Sequence, residues 1–124
     1  MTIDEIRALV RNALEDLKAE DIVELDVKGK TSVADIIFVA SGNSNRHVKS
    51  IANNVVLEAK RAGNQPLGIE GQTDPDWVLV VLGDVIVYVI HTRAQALYDH
   101  EGMRLVTIEH KQARNHAGEL LRNR

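Results

Sequence analysis

The chain has 124 residues, an apolar fraction of 44%, a charged fraction of 27% and a formal net charge of −3, the profile of one soluble globular domain with a single core. Aromatics make up only 3% of it, so the core must rest on Val, Ile, Leu and Ala. No cysteine occurs, which excludes disulfides, thiolate catalysis and cysteine-ligated zinc, and the acidic balance argues against a general nucleic-acid coat.

The N-terminus, MTIDEIRALV, is amphipathic and acidic and does not read as a signal peptide. Thr2-Ile3-Asp4-Glu5 has the form of a capping box. Behind it Ile6, Leu9, Val10, Ala13, Leu14 and Leu17 recur at helical spacing and predict a first helix. Ile22 to Val27 reads as a strand ending at the turn Lys28-Gly29-Lys30. Ala34 to Ala40 is almost unbroken apolar sequence, which suits a strand covered on both faces in a sheet sandwiched by helices. Ser44 is a natural N-cap for a second helix with the stripe Val48, Ile51, Ala52, Val55, Val56 and Ala59. Lys60, Arg61 and Gly63 suit its C-terminal end.

Pro66 to Ile69 is a short candidate strand, and Asp74-Pro75-Asp76 a turn. Trp77 to Leu82 and Val85 to Ile90 follow as a hairpin around Gly83-Asp84, with Gly first as a type II′ turn prefers. The Val85 to Ile90 run, the longest apolar one, is too short to cross a bilayer, so a cytoplasmic location without membrane contact is expected. A short helix after Arg93 through Tyr98 is expected, closed by Gly102. The order α-β-β-α-β-β-β-α predicts an α/β (mixed α+β) domain over residues 1–105: one mixed sheet of about five strands flanked by helices. Residues 106–124 form a basic tail, helical or disordered, with Lys111, Arg114, Arg122 and Arg124 against Glu119 alone after His110.

Few residues point to chemistry. Ser41-Gly42-Asn43-Ser44-Asn45 lies between a buried strand and a helix N-terminus, where backbone amides can hold an anion. It matches neither a P-loop nor a dinucleotide fingerprint, and a plain strand-to-helix turn is the favoured explanation. Arg46, His47 and Lys49 stand in the first turns of that helix, where the dipole disfavours cations by ~0.3–1 kcal/mol each. An acidic ligand or a neighbouring Asp would offset that. Asp26 and Asp35, on or beside adjacent strands, offer a Mg²⁺ site in a nucleotidyltransferase-like enzyme. That chemistry normally needs a close pair of carboxylates on one strand, and turn capping or pairing with Lys28, Lys30 or Arg46 explains the two acids without a metal. The histidines His47, His91, His100, His110 and His116 lack an HExxH motif, and Ser41 and Ser44 lack a nucleophile-elbow setting. Trp77, the only Trp, starts a strand beside Glu70, Asp74 and Asp76. It is either an interface anchor with an acidic rim or a Trp partly buried on the core face.

The stretch Asp35-Ile36-Ile37-Phe38-Val39-Ala40-Ser41-Gly42-Asn43-Ser44-Asn45-Arg46-His47-Val48 resembles the D-Y-F-V-I-A-T-G-x-S-x-R-Q/H-V stretch of the ribosomal silencing factors, the iojap-related proteins. Glu70-Gly71, Trp77 and Gly83-Asp84-Val85-Ile86-Val87 fall in that family's order and spacing, and the resemblance runs from about residue 3 to 105. It implies a nucleotidyltransferase-like fold without catalytic residues, no cofactor, and a non-enzymatic role. Members bind the large ribosomal subunit through large-subunit ribosomal protein fourteen, block small-subunit joining and so repress translation, and are tied to late large-subunit assembly. Carried over, the partner-binding residues are Trp77 and Val78, with Glu70 and Asp76 as acidic neighbours. The chain departs from the pattern late. Tyr88-Val89-Ile90 stands where the family reads H-V-F. The stretch Gln95 to Arg104 keeps Tyr98, Asp99 and Glu101 but carries Gln95, His100 and Arg104 where the family has an Arg, a Leu and a closing aromatic. The basic tail is an addition, suited to ribosomal RNA phosphates, and a homodimer covering the Trp77 surface is the expectation for the free protein.

Overall fold

The computed structural model describes residues 1–30, 32, 34–74 and 76–92. Helix α1 (Ile3–Asp16) opens on the expected capping box: the Glu5 amide donates to Thr2 Oγ1 at 3.2 Å and the Thr2 amide to Glu5 Oε1 at 3.1 Å. Those bonds hold the Glu5 carboxyl below its ordinary range, the Thr2 backbone N–H being the main cause. Strands β1 (Glu20–Asp26) and β2 (Ile36–Gly42) follow, then α2 (Asn45–Arg61), the three-residue β3 (Gly68–Glu70), β4 (Trp77–Leu82) and β5 (Val85–His91). Helix α2 has Ser44 as its N-cap, and the Gly63 amide donates to Lys60 and the Asn64 amide to Ala59, the paired bonds of a Schellman end.

The five strands form one mixed sheet in the order β1-β2-β5-β4-β3. Only β2 and β5 pair in parallel, and the crossover between them carries α2, β3 and β4. Gly83 takes φ +75° at the first position of the β4–β5 turn, as a type II′ hairpin requires. Strand ends differ from expectation by one to two residues. Strand β2 starts later and runs on through Ser41 and Gly42, because its parallel register with β5 continues to Gly42↔His91. The helix expected after Arg93 and the 106–124 tail lie outside the described residues.

Strand alternation divides the sheet into two apolar layers. Ile36, Phe38, Ala40, Val78, Val80, Leu82, Val85, Val87 and Val89 face the helices, which contribute Val10, Ala13, Leu14, Val48, Ile51 and Val55. Ile37, Val39, Leu79, Val81, Ile86, Tyr88 and Ile90 make the opposite layer, with Trp77 packed at its border. Every residue of β2 is buried, as its unbroken apolar run predicts. The expected sandwich differs in one respect: among the described elements both helices lie on the same face. Asn54 Nδ2 donates to the Ala13 carbonyl at 2.9 Å and ties α2 to α1.

Candidate functional site

The site grows from an unequal pairing of strands. Strand β3 is three residues long and its Glu70 pairs with Leu79, so Trp77 and Val78 extend beyond its end. Among the described residues Trp77 pairs only inward, with Ile90 of β5. At that border the indole stacks on Tyr88, with ring centroids 5.8 Å apart and planes at 14°, an offset aromatic pair that fixes the ring. On its other side lies Gly71, at φ +81°, where an added Cβ would come within 2.5 Å of the indole and 2.7 Å of the Trp77 carbonyl. Only glycine combines that left-handed backbone with so close an approach. Trp77 is accordingly half-buried.

The loop between β3 and β4 is built from its own acids. The Asp74 amide donates to the Gly71 carbonyl at 3.0 Å, the Asp76 amide to Asp74 Oδ1 at 2.8 Å, and the His91 amide to the Asp76 carbonyl at 2.7 Å. Pro75 lies outside the described residues. Lys49, from the second turn of α2, reaches this loop: its Nζ donates to the Gly71 carbonyl at 2.8 Å and also to the Asp74 carbonyl. Between α2 and β3–β4 runs a groove of about 270 Å³ lined by Lys49, Ala52, Asn53, Val56, Ile69, Gln72 and Val78.

The residues expected to share one surface therefore divide between the faces. Trp77 and Glu70 lie on the face of Leu79, since Glu70 pairs with Leu79 and Trp77 stands two residues before it. Val78 is 2% exposed, faces the helices and forms part of the groove floor. Asp76 is half-buried at the junction. Lys49, Asn53 and Gln72 were not read from the sequence as site residues. The one signal was Lys49 near a helix N-terminus, and its offset proves to be backbone carbonyls rather than a carboxylate.

The other candidates resolve locally. At the turn after β2, the Asn43 amide donates to His47 Nδ1 at 2.9 Å, the His47 amide to Ser44 Oγ at 3.0 Å and the Val48 amide to the Ser44 carbonyl at 3.0 Å. The Asn43 and His47 amides are thus already used within the turn, which is a strand-to-helix connection. His47 Nε2 lies 2.7 Å from the Leu17 carbonyl. Accepting at one nitrogen and donating at the other assigns the neutral Nε2–H tautomer. Asp26 Oδ1 accepts from the Lys28 amide at 3.1 Å, capping the turn. Asp26 pairs with Ile36 and so lies on the helix side of the sheet, whereas Asp35 stands in the bend just before β2. No group of three or more potential metal ligands occurs among the described residues. Nor is any described helix long and apolar enough to cross a membrane.

A family model described as ribosomal silencing factor during starvation matches residues 1–121. The chain belongs to the ribosomal silencing factor family. Relatives named as such include one from Chromobacterium violaceum, 45% identical over 103 residues and covering 83% of this chain and 84% of that one. A second, from Bacillus subtilis, is 38% identical over 101 residues, covering 82% and 86% respectively. A Chromobacterium violaceum crystal structure superimposes with a TM-score of 0.77 at 46% identity, covering 82% of this chain and 84% of that one. A Bacillus halodurans structure gives 0.72 at 37%, covering 79% and 91%. As a ribosomal silencing factor the chain is not an enzyme, and the Mg²⁺-dependent nucleotidyltransferase reading of Asp26 and Asp35 is set aside. Its fold is the one expected, an open five-stranded mixed sheet with two helices among the described residues.

Proposed function

We propose that this silencing factor binds the large ribosomal subunit through large-subunit ribosomal protein fourteen and sterically prevents the small subunit from joining, which represses translation. The observation that carries the reading is Trp77 at the open end of β3, half-buried and gripped between Tyr88 and Gly71. A large aromatic held rigid before binding loses little entropy on contact, and Trp is enriched where truncation costs ~2 kcal/mol or more. Glu70, Asp74 and Asp76 around it suit a basic protein partner. Val78 takes part as groove floor, beneath whatever side chain enters from above.

The test is co-sedimentation of the purified protein with isolated large and small subunits, followed by a joining assay. The expected result is travel with the large subunit alone and a smaller joined peak, both lost in Trp77→Ala. A folded Trp77→Ala protein that still sediments with the large subunit would falsify the assigned surface. Two further parts of the reading have their own measurements. A dimer covering Trp77 in the free protein predicts a concentration-dependent sedimentation coefficient. A contact of the 106–124 tail with ribosomal RNA predicts affinity that falls with salt more steeply in the full chain than in one with Lys111, Arg114, Arg122 and Arg124 replaced by Gln. A part in late large-subunit assembly predicts that cells lacking the protein accumulate large-subunit precursors.

A further inference from the structure

Lys49 is a cation placed where its helix offers it no electrostatic return, because the N-terminal end of α2 carries the positive end of the dipole. Its stem lies along the groove beside Ala52, Val56, Ile69 and Val78, and its ammonium leaves the helix altogether. It donates to the carbonyl of Gly71 at 2.8 Å and to that of Asp74. The Gly71 carbonyl also accepts from the Asp74 amide, so one charge closes a turn already bonded across its ends. Such charge-assisted bonds are roughly twice as strong as neutral ones. The turn is the same one whose Gly71 abuts the indole of Trp77, and whose Asp74 side chain holds the Asp76 amide. Lys49 grips the loop from the helix face of the sheet, while Trp77 meets it from the opposite face.

We propose that Lys49 is a positioning residue for the partner-binding surface: by tying the Gly71–Asp74 turn to α2 it holds Trp77 and the acidic rim in their binding geometry before the ribosome arrives. This rests on the reading of Trp77 as the contact. A surface fixed in advance avoids the entropy of ordering the loop on contact.

The chain has one Trp and no Cys, so the fluorescence of Trp77 reports on this loop in the unmodified full-length protein. Lys49→Met keeps the apolar stem and removes the donors. With far-UV circular dichroism unchanged, it is expected to raise acrylamide quenching of Trp77 and to weaken large-subunit binding about tenfold, with Lys49→Arg restoring most of both. Should Lys49→Met not fold, Lys49→Leu is read in the same way. Unchanged affinity in the folded variant, alongside binding lost in Trp77→Ala, overturns the role of Lys49 and leaves the Trp77 surface standing. Binding that survives Trp77→Ala overturns both. Weakened affinity with unaltered Trp77 quenching overturns the positioning role, because Lys49 would then act as a contact in its own right.

Discussion

The two edges of the sheet are built in different ways. Strand β1 spans seven residues and carries Glu20, Asp21, Glu24 and Asp26, with a register shift between Glu20 and Val23 and Asp21 at φ 49°. Charge and an irregular backbone spoil an edge for pairing with another chain. Its Glu24 is spent within the molecule: it accepts from Arg7 Nε at 2.6 Å and Arg11 Nη2 at 3.2 Å, raising the Arg7 value further, chiefly through the Glu24 hydrogen bond. Arg11 also lies over the Phe38 ring, 5.7 Å from its centre. At the opposite edge β3 stops after three residues and leaves Trp77 beyond its end, with the loop beside it clasped from behind. The β1 edge is closed by charge, whereas the β3 edge is cut short and braced.

That contrast can be broken at several points. The largest effect is expected from Gly71→Ala, which places a Cβ against the indole and the Trp77 carbonyl and forces an L-residue to φ +81°. The left-handed backbone and the overpacking together should cost about 2–4 kcal/mol in denaturant unfolding, with ribosome binding reduced in step. Stability within error of the parent would mean that the β3 edge is not braced by this contact. Trp77→Ala comes next, with binding weakened by at least ~30-fold, equivalent to about 2 kcal/mol. The matching change at the other edge, Val23→Lys, alters a residue that is 46% exposed. It should leave binding unchanged and stability within about 0.5 kcal/mol. A binding defect in Val23→Lys would erase the distinction between the edges.

His47 links the end of α1, just before β1, to the turn after β2. His47→Leu removes an acceptor for the Asn43 amide and a donor to the Leu17 carbonyl, an expected loss of about 1–2 kcal/mol by thermal melting. His47→Gln also offers one donor and one acceptor and should recover most of the loss, consistent with the family pattern of Gln or His at this position. No recovery would show that the imidazole shape, not its hydrogen bonding, is what the site uses. The smallest effect concerns acid. Glu5 is held below its ordinary value of 4.5 in the folded chain, so its stabilisation is present above that value and is lost as pH falls through the lower folded one. Urea melts should therefore show a gap between the parent and Glu5→Gln at neutral pH that closes in that acidic window. A gap independent of pH would exclude the carboxylate as its source.

The elements were largely legible because their signals are local. The Thr2–Glu5 capping box, the Ser44 cap and the Gly83-Asp84 turn each depend on atoms a few residues apart, and each appears where its residues predict. The unbroken apolar run of β2 likewise announced a strand with no solvent face. Strand ends were less certain because the partner's length decides them: the parallel register with β5 carries β2 on to Gly42. Trp77 stood out by its rarity and its acidic neighbours, and the motif order from Asp35 to Val87 placed the chain in its family.

Which face each residue took was decided only in three dimensions. Alternation along β4 sends Trp77 and Val78 to opposite sides, but nothing local says which side the helices occupy. That Asp26 lies on the helix side follows from the β1–β2 register, a pairing between segments on either side of a turn. The bond from Lys49 to the carbonyls of Gly71 and Asp74 spans 22 and 25 residues, and backbone carbonyls carry no sequence signature. The sequence by itself determined the two described helices, the strands and the family, because capping, periodicity and motif order are properties of neighbouring residues. Tertiary structure alone decided how Trp77 is held, because that depends on a short strand, a glycine turn and a helix lysine meeting at one place.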